Sequence, residues 1–196
     1  LRVRVDFNGR SVRKSFNLSR GRFARIGKPD SIIQLGGSTG GERVARGGAI
    51  TLRVRGRIMY QRTDGTNVGA DGIWYEIMDE DDIIDETMYS GYTDPFGFFD
   101  ATFNWDDCDI SGCDAPDVYI RFETDTSVVQ VQRADLLEED YSWSNEDQVL
   151  DDFGASDIDF GTLLVATNAQ AIHIHNSITR THRYLLAQTG LSMREL

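Results

Sequence analysis

The chain has 196 residues, with 20 Lys+Arg against 32 Asp+Glu, a formal net charge of −12 and a pI near 4.6. Apolar residues make up 40% and mean hydropathy is −0.38, which excludes an intrinsically disordered chain and predicts a soluble, globular one with a core of useful size. No apolar run is long enough to cross a bilayer as a helix, and the acidic balance argues against a general nucleic-acid binder.

The average hides a split. Residues 1–57 carry 14 Lys+Arg against three acids, a net of +11, whereas residues 58–196 carry six against 29, a net of −23. Leu1, Val3, Val5 and Phe7 alternate with Arg2, Arg4 and Asp6, the period-two pattern of a strand buried on one face. Asn8-Gly9 is a hairpin turn, and Val12, Phe16 and Leu18 supply a return strand. No initiator Met or signal peptide precedes this pattern, so the sequence reads as a mature or trimmed form. Residues 31–35 form a further short strand, and the Gly-rich stretch 36–48 reads as a linker, which divides the chain into a basic β arm (1–48), an acidic body (49–167) and a C-terminal segment (168–196).

In the body, Ile50, Leu52 and Val54 alternate with Thr51, Arg53 and Arg55, predicting a long strand over 50–60. Further strands are predicted over 73–78, 87–93, 98–103, 118–123, 128–132 and 160–165, with Asp64-Gly65 and Asp94-Pro95-Phe96-Gly97 as turns. Many short strands at this spacing favour a mainly β fold, an antiparallel β-sandwich, over an α/β one. One helix is expected after 168: Asn168 is the candidate N-cap, Ala171, Ile174, Ile178, Leu185 and Leu186 give the stripe, and Gly190 is the stop.

Three segments carry a resemblance: Val54-Arg55-Gly56-Arg57-Ile58-Met59-Tyr60, Ile73-Trp74-Tyr75-Glu76-Ile77-Met78-Asp79, and Gly91-Tyr92-Thr93-Asp94-Pro95-Phe96-Gly97-Phe98-Phe99. Together with Pro116 to Arg121 they resemble the transthyretin-like, carboxypeptidase-regulatory-like β-sandwich over roughly residues 50–132. That resemblance implies a seven- or eight-stranded extracellular module, usually non-catalytic and often appended to secreted enzymes or surface proteins. It concerns fold, and function has to come from particular residues.

Cys108 and Cys113 enclose a four-residue loop. No second Cys or His pair lies nearby to complete a zinc site, and a short-loop disulfide, favoured over free thiols, implies an oxidising compartment. Asp107, Asp109 and Ser111, followed by Gly112, match the opening of a calcium loop; the bidentate Glu of such loops is replaced by Val118, with Asp114 and Asp117 as substitutes. Hard oxygen donors favour Ca²⁺ over transition metals, so calcium is the candidate cofactor, weighed against an ordinary solvated acidic loop.

His173-Ile174-His175 resembles the His-x-His iron ligands of intradiol dioxygenases, a related sandwich. On a helix, however, positions i and i+2 point about 200° apart and do not chelate one ion. No Gly-x-Ser-x-Gly elbow is present, and the tail lacks the Tyr-Arg-Gly-Ser-like ending of the transthyretin-related hydroxyisourate hydrolases. The expectation is therefore a non-catalytic extracellular structural protein that assembles with copies of itself. The assembly residues are Leu1, Arg2, Val3, Arg4, Val5 and Phe7, a basic strand suited to an acidic neighbour. An accessory or adhesion module of a larger secreted enzyme or surface protein, with a cell-surface or matrix partner, is the second expectation, and a metal-dependent oxygenase the third.

Overall fold

The computed structural model describes residues 2–7, 10–15, 33–35, 50–80, 85–105, 115–126, 128–133, 139–146, 149–150 and 157–190. The fold is mainly β with one C-terminal helix. Its strands are β1 (Arg2–Phe7), β2 (Arg10–Ser15), β3 (Ile33–Leu35), β4 (Ile50–Gln61), β5 (Asn67–Gly69), β6 (Trp74–Asp79), β7 (Glu86–Tyr92), β8 (Phe98–Trp105), β9 (Val118–Glu123), β10 (Gln130–Gln132), β11 (Ser142–Ser144) and β12 (Asp157–Val165), followed by the helix α1 (Ala169–Thr189).

Two sheets face each other. One has the order β11-β9-β6-β7; the other has the order β3-β12-β4-β5, with β8 also paired to β4. Alternation places Leu52, Val54, Ile58 and Tyr60 of β4 inward, against Tyr75 and Ile77 of β6 and Ile120 and Phe122 of β9. Aromatic rings knit the sheets together, with Tyr75 against Phe99 at 5.1 Å and Tyr89 stacked on Phe103 at 5.4 Å. Most predicted strands stand within one or two residues of their expected limits.

Four differences have identifiable physical causes. β12 runs parallel to β4, with Ile158 beside Val54 and Leu163 beside Ile58, so the sandwich is mixed rather than wholly antiparallel. The long stretch of chain between these strands permits a parallel return that a hairpin cannot make. β10 starts at Gln130, later than expected, because the Thr126 hydroxyl accepts the N–H groups of Val128 and Val129 at 3.3 and 3.0 Å and holds a turn there. β5 and β11 have three residues each, too few for a period to register. Asn168 stands at the N-cap but adopts φ 56° and makes no side-chain capping bond. It serves by tolerating the left-handed turn from β12 into the helix. Gly190 ends α1 at φ 72° with its N–H on the Leu186 carbonyl, as the sequence predicts.

The basic N-terminal segment is built into this body at two places. β1 lies between β2 and β10 in a three-stranded antiparallel sheet, and β3 pairs with the start of β12.

Candidate functional site

The densest polar constellation lies where α1 meets the turn between β5 and β6. Asn176 is buried; its amide nitrogen donates to the Tyr60 hydroxyl at 3.0 Å and its carbonyl oxygen accepts the Asp71 N–H at 2.7 Å. The Tyr60 hydroxyl lies 3.2 Å from His173 Nδ1. The hydroxyl oxygen therefore joins the Asn176 amide and the His173 ring in one polar contact set. The Asp71 carboxylate, 2% exposed, is paired with Arg183 and with Arg180 at 3.4 Å. Asn176, Arg180 and Arg183 follow at i, i+4 and i+7, so one helix face carries all three. This is a clamp for the helix. Ser177 Oγ bonds the His173 carbonyl, not its ring.

Both residues of the His-x-His sequence sit on α1, not on a strand. His173 is exposed and engaged with Tyr60, whereas His175 is fully buried, and neither of its ring nitrogens has a hydrogen-bond partner among the described residues. Burial alone pushes the His175 imidazole down to about 4, so it is neutral at pH 7. The two histidines thus face different surroundings. Among the described residues, no three His, Cys, Asp or Glu side chains gather as a metal-binding group.

The calcium candidates Asp107, Asp109, Ser111 and Asp114, and the cysteines Cys108 and Cys113, lie outside the described residues. Asp117 lies within them. Its N–H donates to Asp79 Oδ1 at 2.7 Å, and the Trp105 indole donates to the other oxygen of Asp79 at 3.1 Å. A buried carboxylate at the end of β6 therefore holds both the Trp105 indole and the Asp117 backbone. Close by, the Tyr119 hydroxyl donates to Asp85 at 2.6 Å, and burial together with that bond raises its pKa.

Of the assembly candidates, Arg2, Val3, Arg4, Val5 and Phe7 form β1, and Leu1 lies outside the described residues. β1 has both edges occupied within its own chain, by six pairs to β2 and three to β10. The outer edge of the hairpin therefore belongs to β2, which carries Arg10, Arg13 and Lys14. A second charged surface covers the outside of β4. Arg53 grips Asp100 of β8 through two hydrogen bonds at 2.9 and 2.6 Å, and Arg55 lies 3.1 Å from Asp159 and 3.8 Å from Asp157 of β12. Arg57 lies over the Phe98 ring at 4.7 Å. These arginines are spent on neighbouring strands of their own sheet.

Sequence reasoning missed Tyr60, Asp71 and Asn176. The spacing of Asn176, Arg180 and Arg183 was the available signal, but their acceptor lies more than a hundred residues away in sequence.

No family model and no curated protein matches the chain. Among solved structures, it is similar to the crystal structure of a 9R-lipoxygenase from Cyanothece PCC8801, at 23% identity and a TM-score of 0.39. The match covers 59% of this chain and 16% of that one.

Proposed function

We infer that the protein is a non-catalytic, extracellular structural subunit that assembles with copies of itself through its basic N-terminal hairpin. The observation that carries this reading is the charge split, +11 over residues 1–57 against −23 over residues 58–196. Both edges of β1 are taken within the chain, so the strand expected to reach a neighbour is not itself free, and the hairpin offers instead the outer edge of β2, with Arg10, Arg13 and Lys14. A basic strand edge on an acidic sandwich is complementary to a second copy of itself: backbone hydrogen bonds supply affinity and charge supplies steering. The Cys108 and Cys113 spacing supports an oxidising compartment.

Deleting residues 1–18 tests the assembly. Sedimentation velocity is expected to find oligomers of the full chain that disappear on deletion, while circular dichroism still reports a folded sandwich. A full chain that stays monomeric at its highest soluble concentration overturns the reading. The accessory-module reading is favoured by a different observation: Tyr184 and Leu186 on the last turns of α1 are 65% and 42% exposed, an apolar surface suited to an adjoining domain. That reading expects the monomer.

A further inference from the structure

Proteins with open sheets protect their edges, because an unpaired row of N–H and C=O groups recruits other strands. Most edges of this protein are protected. β3, β5 and β11 have three residues each. β7 is interrupted by a bulge at Met88, where the register with β6 jumps from Ile77–Tyr89 to Met78–Thr87.

β8 has none of these devices. It is paired to β4 on one side by eight consecutive pairs, from Ile50–Trp105 to Arg57–Phe98, without a bulge. Its other side forms no ladder among the described residues; only at Phe98 are the N–H and C=O taken, by the Asp94 carboxylate and N–H. Phe98-Phe99-Asp100-Ala101-Thr102-Phe103-Asn104-Trp105 contains no Lys, Arg or Pro, and its one charge, Asp100, is already paired with Arg53. From Phe99 to Trp105, at about 3.4 Å per residue, the open edge is roughly 24 Å long.

We propose that the free edge of β8 is the acceptor for the basic β2 edge of a second copy, which extends the β4–β8 sheet across the contact. The proposal rests on the assembly reading above and adds the acceptor. Charge selects the occupant. Acidic residues flank β8 in sequence, with Asp94 before it and Asp106 and Asp107 after it. Pairing of β8 with the β8 of another copy brings together two stretches of the −23 segment, which is unfavourable. A strand from the +11 segment, with Arg10, Arg13 and Lys14 in its sequence, brings opposite charge. Because donor and acceptor are different edges, each added copy leaves one of each open, and the product is a ring or a filament.

The test uses the full chain. Thr102 and Asn104 are exposed positions of β8, so Asn104→Lys and Thr102→Lys place edge charges there without entering the core. Each variant is expected to weaken assembly at least tenfold in sedimentation velocity, whereas Gln170→Lys, at an exposed position of α1, leaves it unchanged. Adding Arg13→Glu to Asn104→Lys recovers at least part of the loss. Hydrogen exchange on the wild type needs no variant: amides of 98–105 become slower to exchange as concentration rises. If the lysine variants assemble like the wild type, or exchange in 98–105 is independent of concentration while deletion of 1–18 still abolishes assembly, the acceptor lies elsewhere. The assembly reading then survives and this inference falls. A wild type that is monomeric throughout overturns both.

Discussion

His175→Leu isolates the energetics of one buried polar group. The imidazole is fully buried and has no hydrogen-bond partner among the described residues, and desolvation holds its pKa at about 4 against an ordinary 6.5. Leucine is of similar volume and needs no partner. At pH 7 the variant is expected to be more stable by about 1 kcal/mol, the cost of leaving a buried donor and acceptor unmade. The pH dependence is larger. A depressed histidine pKa means that the unfolded chain takes up the proton first. The stability tied to His175 is therefore complete above pH 6.5, falls as pH drops from 6.5 to 4, and does not change further once both states are protonated. A displacement from 6.5 to about 4 converts to about 3 kcal/mol, so the advantage of His175→Leu grows to about 4 kcal/mol near pH 4. Urea unfolding at pH 7 and pH 4.5 measures the difference. The buried Trp143, stacked on Phe122 at 5.6 Å, supplies the fluorescence signal. Carboxylate titration is common to both proteins and cancels in the comparison. If wild type and variant lose stability in parallel between these pH values, the imidazole is protonated without penalty in the fold and the burial argument is refuted.

The helix clamp predicts an asymmetry. Removing Arg180 and Arg183 together by alanine leaves Asp71, 2% exposed, as a buried charge without its counter-ions and is expected to cost about 3 kcal/mol in urea unfolding. Asp71→Asn leaves two half-solvated guanidinium groups and costs about 1 kcal/mol; equal losses argue against the clamp. Gly97 and Gly65 both have positive φ, 86° and 83°, but a Cβ on Gly97 meets the Ile58 carbonyl and lies 2.8 Å from the Ala70 nitrogen, whereas one on Gly65 meets nothing within 4 Å. Gly65→Ala is expected to cost about 1 kcal/mol for backbone strain alone. Gly97→Ala is expected to cost roughly 3 kcal/mol or more, read as the difference in thermal midpoints.

Much of the fold was legible because strand periodicity is a local property. Leu52, Val54, Ile58 and Tyr60 announce the buried face of β4 on their own, and Asn168 and Gly190 mark the limits of the helix by the conformations those residues tolerate. The candidate sites were less legible. His173 and His175 look alike in sequence, yet one meets the Tyr60 hydroxyl and the other is sealed in the core, because a helix turns about 200° between them. Asp71 sits in an unremarkable Asp-Gly turn until Arg180 and Arg183 arrive from the far end of the chain.

By itself the sequence determined the mainly β class, the position of the helix and the division of charge, since each depends on residue type and short-range period. Pairing was decided only by the tertiary structure. Which strand lies beside β4 in parallel, which chain receives β1 and which edges stay open all depend on backbone groups far apart in sequence, and every residue except proline carries the same backbone donor and acceptor. The charge split of +11 against −23 is written in the composition. That β2 holds the outer edge of the basic hairpin, and that β8 pairs only with β4 among the described residues, follow from how the strands are laid side by side.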